Sequence, residues 1–160
     1  MYLELQLQPR IVKETNARIE VVQLGERKYI GTAVTSPLKN VKGIGEARQL
    51  FMERQGEIQG KADESTYVCV HFANEVLFTY IYCMEVTELQ LIPEGMIGFE
   101  VPSNHYVKVQ SYGEEPYGLI DKFLRNKGMR SNLHSVSFEV FQFGKEESKY
   151  NAEILVPVAV

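Results

Sequence analysis

Short apolar runs separated by Gly and Pro predict strands, and two stretches with helical spacing predict helices. In the first, 44–58, apolar residues recur close to i, i+3, i+6, i+7. In the second, 117–128, Leu119, Ile120 and Phe123 share one face, and Gly128 follows the end as a helix stop. The predicted strands are 18–24, 27–35, 66–72, 76–86, 106–112, 134–143 and 151–160.

The predicted elements follow the order strand–helix–strand–strand twice. This indicates an α+β fold of two duplicated modules, each an antiparallel sheet with one helix, around a central cleft. We expect one domain over 1–160, with a first repeat at about 18–86, a crossover at 87–98 and a second repeat at about 99–158. A cleft between similar modules is a favoured place for a ligand.

The charge pattern argues against nucleic acid as a partner, and the length of the apolar runs argues against a membrane span. The chain has 160 residues and a net charge of −4, and its Lys and Arg form no basic stripe. No apolar run reaches the roughly 20 residues that span a bilayer. Cys69 and Cys83 fall within predicted strands and are expected to be reduced, buried thiols. These features predict a cytoplasmic protein.

Metal, cofactor and nucleophile motifs are missing from the sequence. His71, His105 and His134 are far apart, and neither CxxC nor HExxH occurs. The segment 43–45, GIG, lacks the Lys-Ser/Thr of a phosphate loop, and no GxSxG is present. We therefore expect no metal and no cofactor.

The run FEVFQF at 138–143 places a carboxylate, Glu139, among aromatic residues. The chain has nine Tyr and eight Phe, and aromatic faces around an acid suit a flat, apolar cation. Alternation puts Glu139 and Phe141 on one strand face, so Phe141 is expected to line the same site. Phe138 and Val140 form the opposite face, which is uniformly apolar and suited to packing on the helices. Glu139 is then expected to face away from the helices, toward solvent or toward the cleft, and the pattern alone favours solvent.

The second half of the chain resembles the GyrI-like effector-binding domain family. The resemblance rests on LIPEGMIGFEVPSNHYVKVQSYGEEPYGLIDKFL, then FEVF and a closing EILVPV. The first half matches more loosely, through its strand, helix and strand pair, so the resemblance covers 17–160. Members of this family are stand-alone relatives of the drug-binding domains of MerR- and AraC-type regulators.

The resemblance implies a cleft that takes up hydrophobic, often cationic small molecules. Glu139 matches the family glutamate that pairs with the positive charge of the ligand. Tyr106 and Tyr117 match its aromatic surroundings, and Tyr67 and Tyr82 are further candidates.

Three functions follow as expectations. The first is a stand-alone binding protein for hydrophobic, cationic small molecules, without direct nucleic-acid binding, since about 17 residues precede the domain and cannot form a helix-turn-helix. The alternative is a hydrolase of reactive cyclopropane-type electrophiles, with Glu139 as the catalytic base supported by Tyr67, Tyr82 or Tyr117. A second alternative is a protein-interaction module. The sequence leaves binding and turnover open, because the same residue types serve both.

Overall fold

The chain repeats the order strand–helix–strand–strand. The computed structural model describes residues 18–110 and 112–159, and within them the chain forms nine strands and two α-helices. The first module is β2–α1–β3–β4 and the second is β6–α2–β8–β9, which confirms the predicted duplicated α+β fold. The elements are β1 Arg18–Leu24, β2 Arg27–Pro37, α1 Ile44–Arg54, β3 Thr66–Ala73, β4 Leu77–Val86, β5 Ile97–Val101, β6 Asn104–Gln110, α2 Pro116–Lys127, β7 Arg130–Ser131, β8 Ser137–Gln142 and β9 Glu153–Ala159.

Two strands and some boundaries differ from the prediction. The strand expected at 106–112 runs from Asn104 to Gln110, and Ser111 lies outside the described residues. The sequence did not predict the short strands β5 and β7. Strand β5 ends directly before Pro102, which separates it from β6, and β7 has only two residues. Helix α1 ends at Arg54, where a 3-10 turn takes over.

All strand pairs are antiparallel, and the central pair joins the two modules. The strand order is β1–β6–β9–β8–β3–β4–β2–β5, with β7 on β9. Strand β1 precedes the first module but pairs with β6 of the second, and β5 precedes the second module but pairs with β2 of the first. The modules are therefore related by a pseudo-twofold axis near the β3–β8 pair.

Both faces of the sheet are covered, one by helices and the other by the sheet itself. On the helix face, Phe51 of α1 and Ile120 of α2 belong to one buried cluster. On the other face, the Phe138 ring centroid lies 5.7 Å from that of Tyr29 and 5.6 Å from that of Tyr106. Tyr29 and Tyr106 lie on strands far apart in the sheet order, so the sheet must curl to bring them together.

Because of this curl, the predicted orientation of β8 relative to the helices is wrong. Phe138 lies in the cluster enclosed by the curled sheet, whereas Phe141 lies in the cluster shared with the helices. Glu139 points to the same side as Phe141, toward the helices. Alternation correctly separated the two faces, but it could not tell which apolar face meets helices when both are covered.

Among the described residues, no helix combines the length and apolarity needed to cross a membrane. Both cysteines are free thiols and are buried in the sheet.

Candidate functional site

Glu139 lies near the centre of the sheet, on the helix side, and is only 9% exposed. The Tyr80 hydroxyl of β4 donates a hydrogen bond to Oε1 at 2.5 Å. The Tyr117 hydroxyl of α2 donates to Oε2. Of the two orientations that the strand pattern left open for Glu139, the solvent-facing one that the pattern alone favours is therefore wrong, because a helix and a sheet strand both contribute a side chain that covers the carboxylate.

The strand register explains how a tyrosine two strands away reaches Glu139. Cys69 of β3 lies directly opposite Glu139 on one side and Tyr82 on the other. Its small side chain is fully buried, which leaves room for the tyrosine rings of β4 to cross above β3. Tyr80 uses this space to contact Glu139.

Tyr117 is positioned by the start of α2. Pro116 occupies the first helical turn, and the Glu115 side chain caps the helix by accepting the Gly118 N–H at 2.8 Å. The capped turn directs the Tyr117 hydroxyl at Glu139. Glu115 also binds Lys149, whose Nζ lies 2.9 Å from Oε1.

Glu139 has no protein cation beside it in the part of the chain that the structure describes. There, no Lys, Arg or His nitrogen lies within 4.0 Å of its carboxylate. Lys149 sits 6.0 Å from the Tyr117 ring centroid but is paired with Glu115. Burial is the main cause that raises the pKa values of Tyr80 and Tyr117 well above their ordinary range; the interactions with Cys69 and then Glu139 add to it at Tyr80, and the Glu139 charge adds to it at Tyr117. Both hydroxyls thus stay protonated and act as donors.

His71 extends this network behind Tyr117. Its Nε2 lies 3.1 Å from the Tyr117 hydroxyl oxygen. Because the Tyr117 hydrogen is given to Glu139, His71 must donate from Nε2. Burial lowers the pKa of His71, against the opposing effect of Glu139, so the ring is neutral at pH 7.

A second carboxylate, Glu147, lies on the same side of the sheet. It accepts hydrogen bonds from the hydroxyls of Tyr67 at 2.7 Å and Tyr82 at 2.9 Å. Unlike Glu139, it has a protein cation, because Arg48 Nε of α1 lies 2.9 Å from Oε1.

Aromatic rings connect the two carboxylates. The ring of His71 stacks on that of Tyr80 at 5.8 Å between centroids, and Tyr80 meets Tyr82 edge-on at 5.4 Å. Phe51 packs beneath Tyr82 at 6.0 Å. The helix side of the central sheet is therefore a largely buried aromatic layer with two acids set into it, and we call this layer, which lies where the central cleft is expected, the acid–aromatic cleft.

The structure brings most of the predicted site residues to this cleft. Tyr117 contacts Glu139, and Tyr67 and Tyr82 contact Glu147. Phe141 packs against the Tyr67 ring at 5.5 Å. Tyr106 is the exception and is a correction: it is fully buried in the cluster on the opposite sheet face, because residues of β6 alternate and its Val107 and Val109 face the helices.

Four contributors were not predicted: Tyr80, His71, Glu147 and Arg48. Period-2 alternation places Tyr80 with Tyr82 on β4 and His71 with Tyr67 on β3, so the sequence held a signal for two of them. Glu147 lies in a polar stretch between strands, and Arg48 on a helix surface. Nothing in their local pattern separates them from solvated charges.

A surface cavity of about 430 Å³ lies elsewhere. It is lined partly by Val140 and Gln142, which alternate with Glu139 and Phe141 along β8 and so point to the opposite face of the sheet. The Glu139 carboxylate is instead covered by tyrosine hydroxyls.

The family model for integron-associated effector binding proteins, Cass2, matches residues 20–158. The chain belongs to this family. The membership confirms the predicted kinship with GyrI-like effector-binding domains, and it identifies the chain as an effector-binding protein by family.

Solved structures show the same fold at low sequence identity. An integron cassette protein from the mobile metagenome of Vibrio cholerae shares 18% identity, with a TM-score of 0.59, over 88% of this chain and 95% of that one. SAV2435, solved bound to tetraphenylphosphonium, shares 16% identity, with a TM-score of 0.62, over 89% and 94%.

A transcriptional regulator shares a shorter segment. BrlR of Pseudomonas aeruginosa is 37% identical over 75 residues, which is 46% of this chain. The matched segment spans only 27% of the length of BrlR.

Proposed function

We propose that this chain binds hydrophobic, cationic small molecules in the acid–aromatic cleft, with Glu139 as the counter-charge. One observation carries the proposal. The Glu139 carboxylate is 9% exposed and accepts hydrogen bonds from two neutral hydroxyls. Within residues 18–110 and 112–159, it has no cationic nitrogen within 4.0 Å.

The physical reason is the cost of leaving a buried charge without an opposite charge. Removing a carboxylate from water costs several kcal/mol unless it is paired. Each hydrogen bond to the charged group returns about 1.5–3 kcal/mol. A ligand cation adds the Coulomb attraction that is missing, in a place where water screens it little. The site therefore favours a cation over a neutral molecule of the same shape.

The surrounding rings favour flat, weakly hydrated cations. Tyr80 and Tyr117 reach the carboxylate through their hydroxyls, and the neutral His71 ring packs against both of them. Each ring whose face meets a cation contributes about 0.5–2 kcal/mol. The Tyr80 and Tyr117 hydroxyls cover Glu139, so a ligand must displace at least one of them. We expect Tyr117 to move, since it stands on the first turn of α2 whereas Tyr80 is fixed on a central strand.

Family membership and one structural neighbour support this proposal. The family is described as effector-binding, and SAV2435 was solved with tetraphenylphosphonium, a lipophilic cation. The buried Glu139 carboxylate among aromatic rings would suit such a cation here.

Isothermal titration of tetraphenylphosphonium and its neutral analogue triphenylphosphine oxide tests the proposal. Glu139→Gln should weaken binding of the phosphonium at least tenfold, or about 1.4 kcal/mol, and leave the affinity for the oxide nearly unchanged. Glu153→Gln is the matched control, because it removes the same charge from the neighbouring strand β9. Ile154 faces the helices, so the adjacent Glu153 side chain points to the opposite face of the sheet, away from the acid–aromatic cleft. Equal affinities for the phosphonium in wild type and Glu139→Gln would overturn the proposal.

A hydrolytic activity at the same carboxylate is the second candidate, and the His71–Tyr117 contact favours it. Glu139 would accept a proton from a water whose oxygen bonds to a cyclopropane carbon. The strained C–C bond would break and pass its electron pair to the activating group of the substrate, while Tyr117, hydrogen bonded by His71, would orient the reacting groups. Incubation with a cyclopropane-containing electrophile tests this activity. Product that forms catalytically with wild type and not with Glu139→Ala would support it, whereas stoichiometric binding without product would exclude that substrate class.

A further inference from the structure

Glu147 is a second carboxylate in the acid–aromatic cleft, and the proposed function does not use it. It accepts hydrogen bonds from Tyr67 and Tyr82, as Glu139 does from Tyr80 and Tyr117. Each acid thus holds two tyrosine hydroxyls.

Two of the tyrosines that donate to these acids are neighbours along one strand. Tyr80 donates a hydrogen bond to Glu139 and Tyr82 donates one to Glu147. These tyrosines are alternate residues on the same face of β4. Alternate residues of a strand lie about 7 Å apart, and the two rings touch edge-on at 5.4 Å between centroids. One continuous aromatic surface therefore runs from one carboxylate to the other.

The two acids differ in whether a protein cation already pairs with them. The Arg48 guanidinium sits on Glu147, with Nε 2.9 Å from Oε1. The Arg48 side chain is 43% exposed, whereas that of Glu147 is 20% exposed, so the cation lies on the solvent side of the acid. A guanidinium is planar and weakly hydrated, and an ion pair this exposed is weak. Arg48 is therefore a cation that a ligand can displace.

We propose that Glu147 is a second cation subsite, covered by Arg48, and that the cleft takes flat dications whose charges lie at opposite ends of a biaryl. This inference rests on the proposed function, because Glu139 must hold the first charge. Arg48 then acts as the resident occupant of the second subsite, and the ligand replaces it.

A matched pair of probes separates the two subsites. Methyl viologen is a flat biaryl dication, and N-methyl-4-phenylpyridinium has nearly the same shape with a single charge. Their affinities are measured by isothermal titration for wild type, Glu139→Gln, Glu147→Gln and Arg48→Gln. Arg125→Gln is the control for net charge, since Arg125 pairs with Asp121 on the exposed side of α2.

The ratio of the two affinities is the readout. Glu147→Gln should weaken methyl viologen about tenfold more than the monocation, and Arg48→Gln should strengthen methyl viologen several-fold relative to the monocation. Arg125→Gln should shift both probes alike. Because the two test variants change the ratio in opposite directions, a folding defect in one does not remove the test.

Two results overturn the inference in distinguishable ways. If the monocation binds and depends on Glu139, but the ratio is the same in wild type, Glu147→Gln and Arg48→Gln, the second subsite is wrong and the proposed function stands. If neither probe binds wild type, or Glu139→Gln leaves both affinities unchanged, the proposed function fails and the second subsite fails with it.

Discussion

Removal of the Tyr117 hydroxyl by Tyr117→Phe should destabilise the protein even without a ligand. The substitution removes one of the two donors to Glu139 and leaves the Nε2 hydrogen of His71 without its acceptor. A hydrogen bond to a charged group is worth about 1.5–3 kcal/mol, and an unpaired buried donor costs about 1 kcal/mol more. The expected loss in the free energy of unfolding is therefore about 2.5–4 kcal/mol.

Two other Tyr→Phe substitutions set the scale for this loss. Tyr82 donates to Glu147, which is partly exposed and already paired with Arg48, so Tyr82→Phe should cost only about 0.5–1.5 kcal/mol. Among the residues that the structure describes, the buried Tyr106 hydroxyl has no partner in hydrogen-bonding geometry, although Arg27 lies nearby. Tyr106→Phe should therefore cost nothing or stabilise the fold slightly.

Urea unfolding followed by circular dichroism measures all three variants. Equal slopes against urea would show that the midpoints report stability alone. The predicted order of loss is Tyr117→Phe, then Tyr82→Phe, then Tyr106→Phe. A Tyr117→Phe loss no larger than that of Tyr106→Phe would refute the claim that Tyr117 supports a buried charge.

Two further predictions concern the fold around the cleft. A Cβ on Gly31 would lie 2.0 Å from the Tyr82 carbonyl oxygen, so Gly31→Ala should lower the free energy of unfolding, measured with urea, by about 3 kcal/mol or more. Gly25→Ala is the control: a Cβ there would meet open space among the described residues, so the loss should be under about 1 kcal/mol. Burial raises the pKa of Glu115, but hydrogen bonds from the Gly118 N–H and a lysine outweigh it and leave that pKa below its ordinary value of 4.5. Glu115→Gln should thus lower the free energy of unfolding by about 0.5–1 kcal/mol at pH 7. The difference in stability between wild type and variant should vanish as the pH falls from about 5 to 3 and Glu115 is protonated. A difference that stays constant over this range would show that the Glu115 charge does not stabilise the start of α2.

The sequence allowed the modules to be predicted because their signals are local. Helical spacing, the Gly128 stop and the strand alternation each lie within a few residues of one another, and the structure has helices and strands at those places. The face that Glu139 occupies could not be predicted, because the sheet curls and covers the face of Phe138 as well. Sheet curl depends on contacts between strands far apart in the chain, which no local pattern contains.

The same limit applies to the partners of Glu139. Glu139 and Tyr117 could be found through the family resemblance. Tyr80 approaches Glu139 only because β3 lies between β4 and β8 and carries the small Cys69 at the crossing point. Strand order of this kind is set by long-range pairing, so the tyrosine pair on the carboxylate is visible only in the fold.

A crystal structure of the protein with tetraphenylphosphonium tests most directly whether Glu139 holds the positive charge of a ligand. We predict the phosphonium beside the Glu139 carboxylate, between the rings of Tyr80 and Tyr117, with the Tyr117 hydroxyl moved off the acid. A phosphonium bound in the cavity next to Gln142, with both hydroxyls still on Glu139, would contradict it.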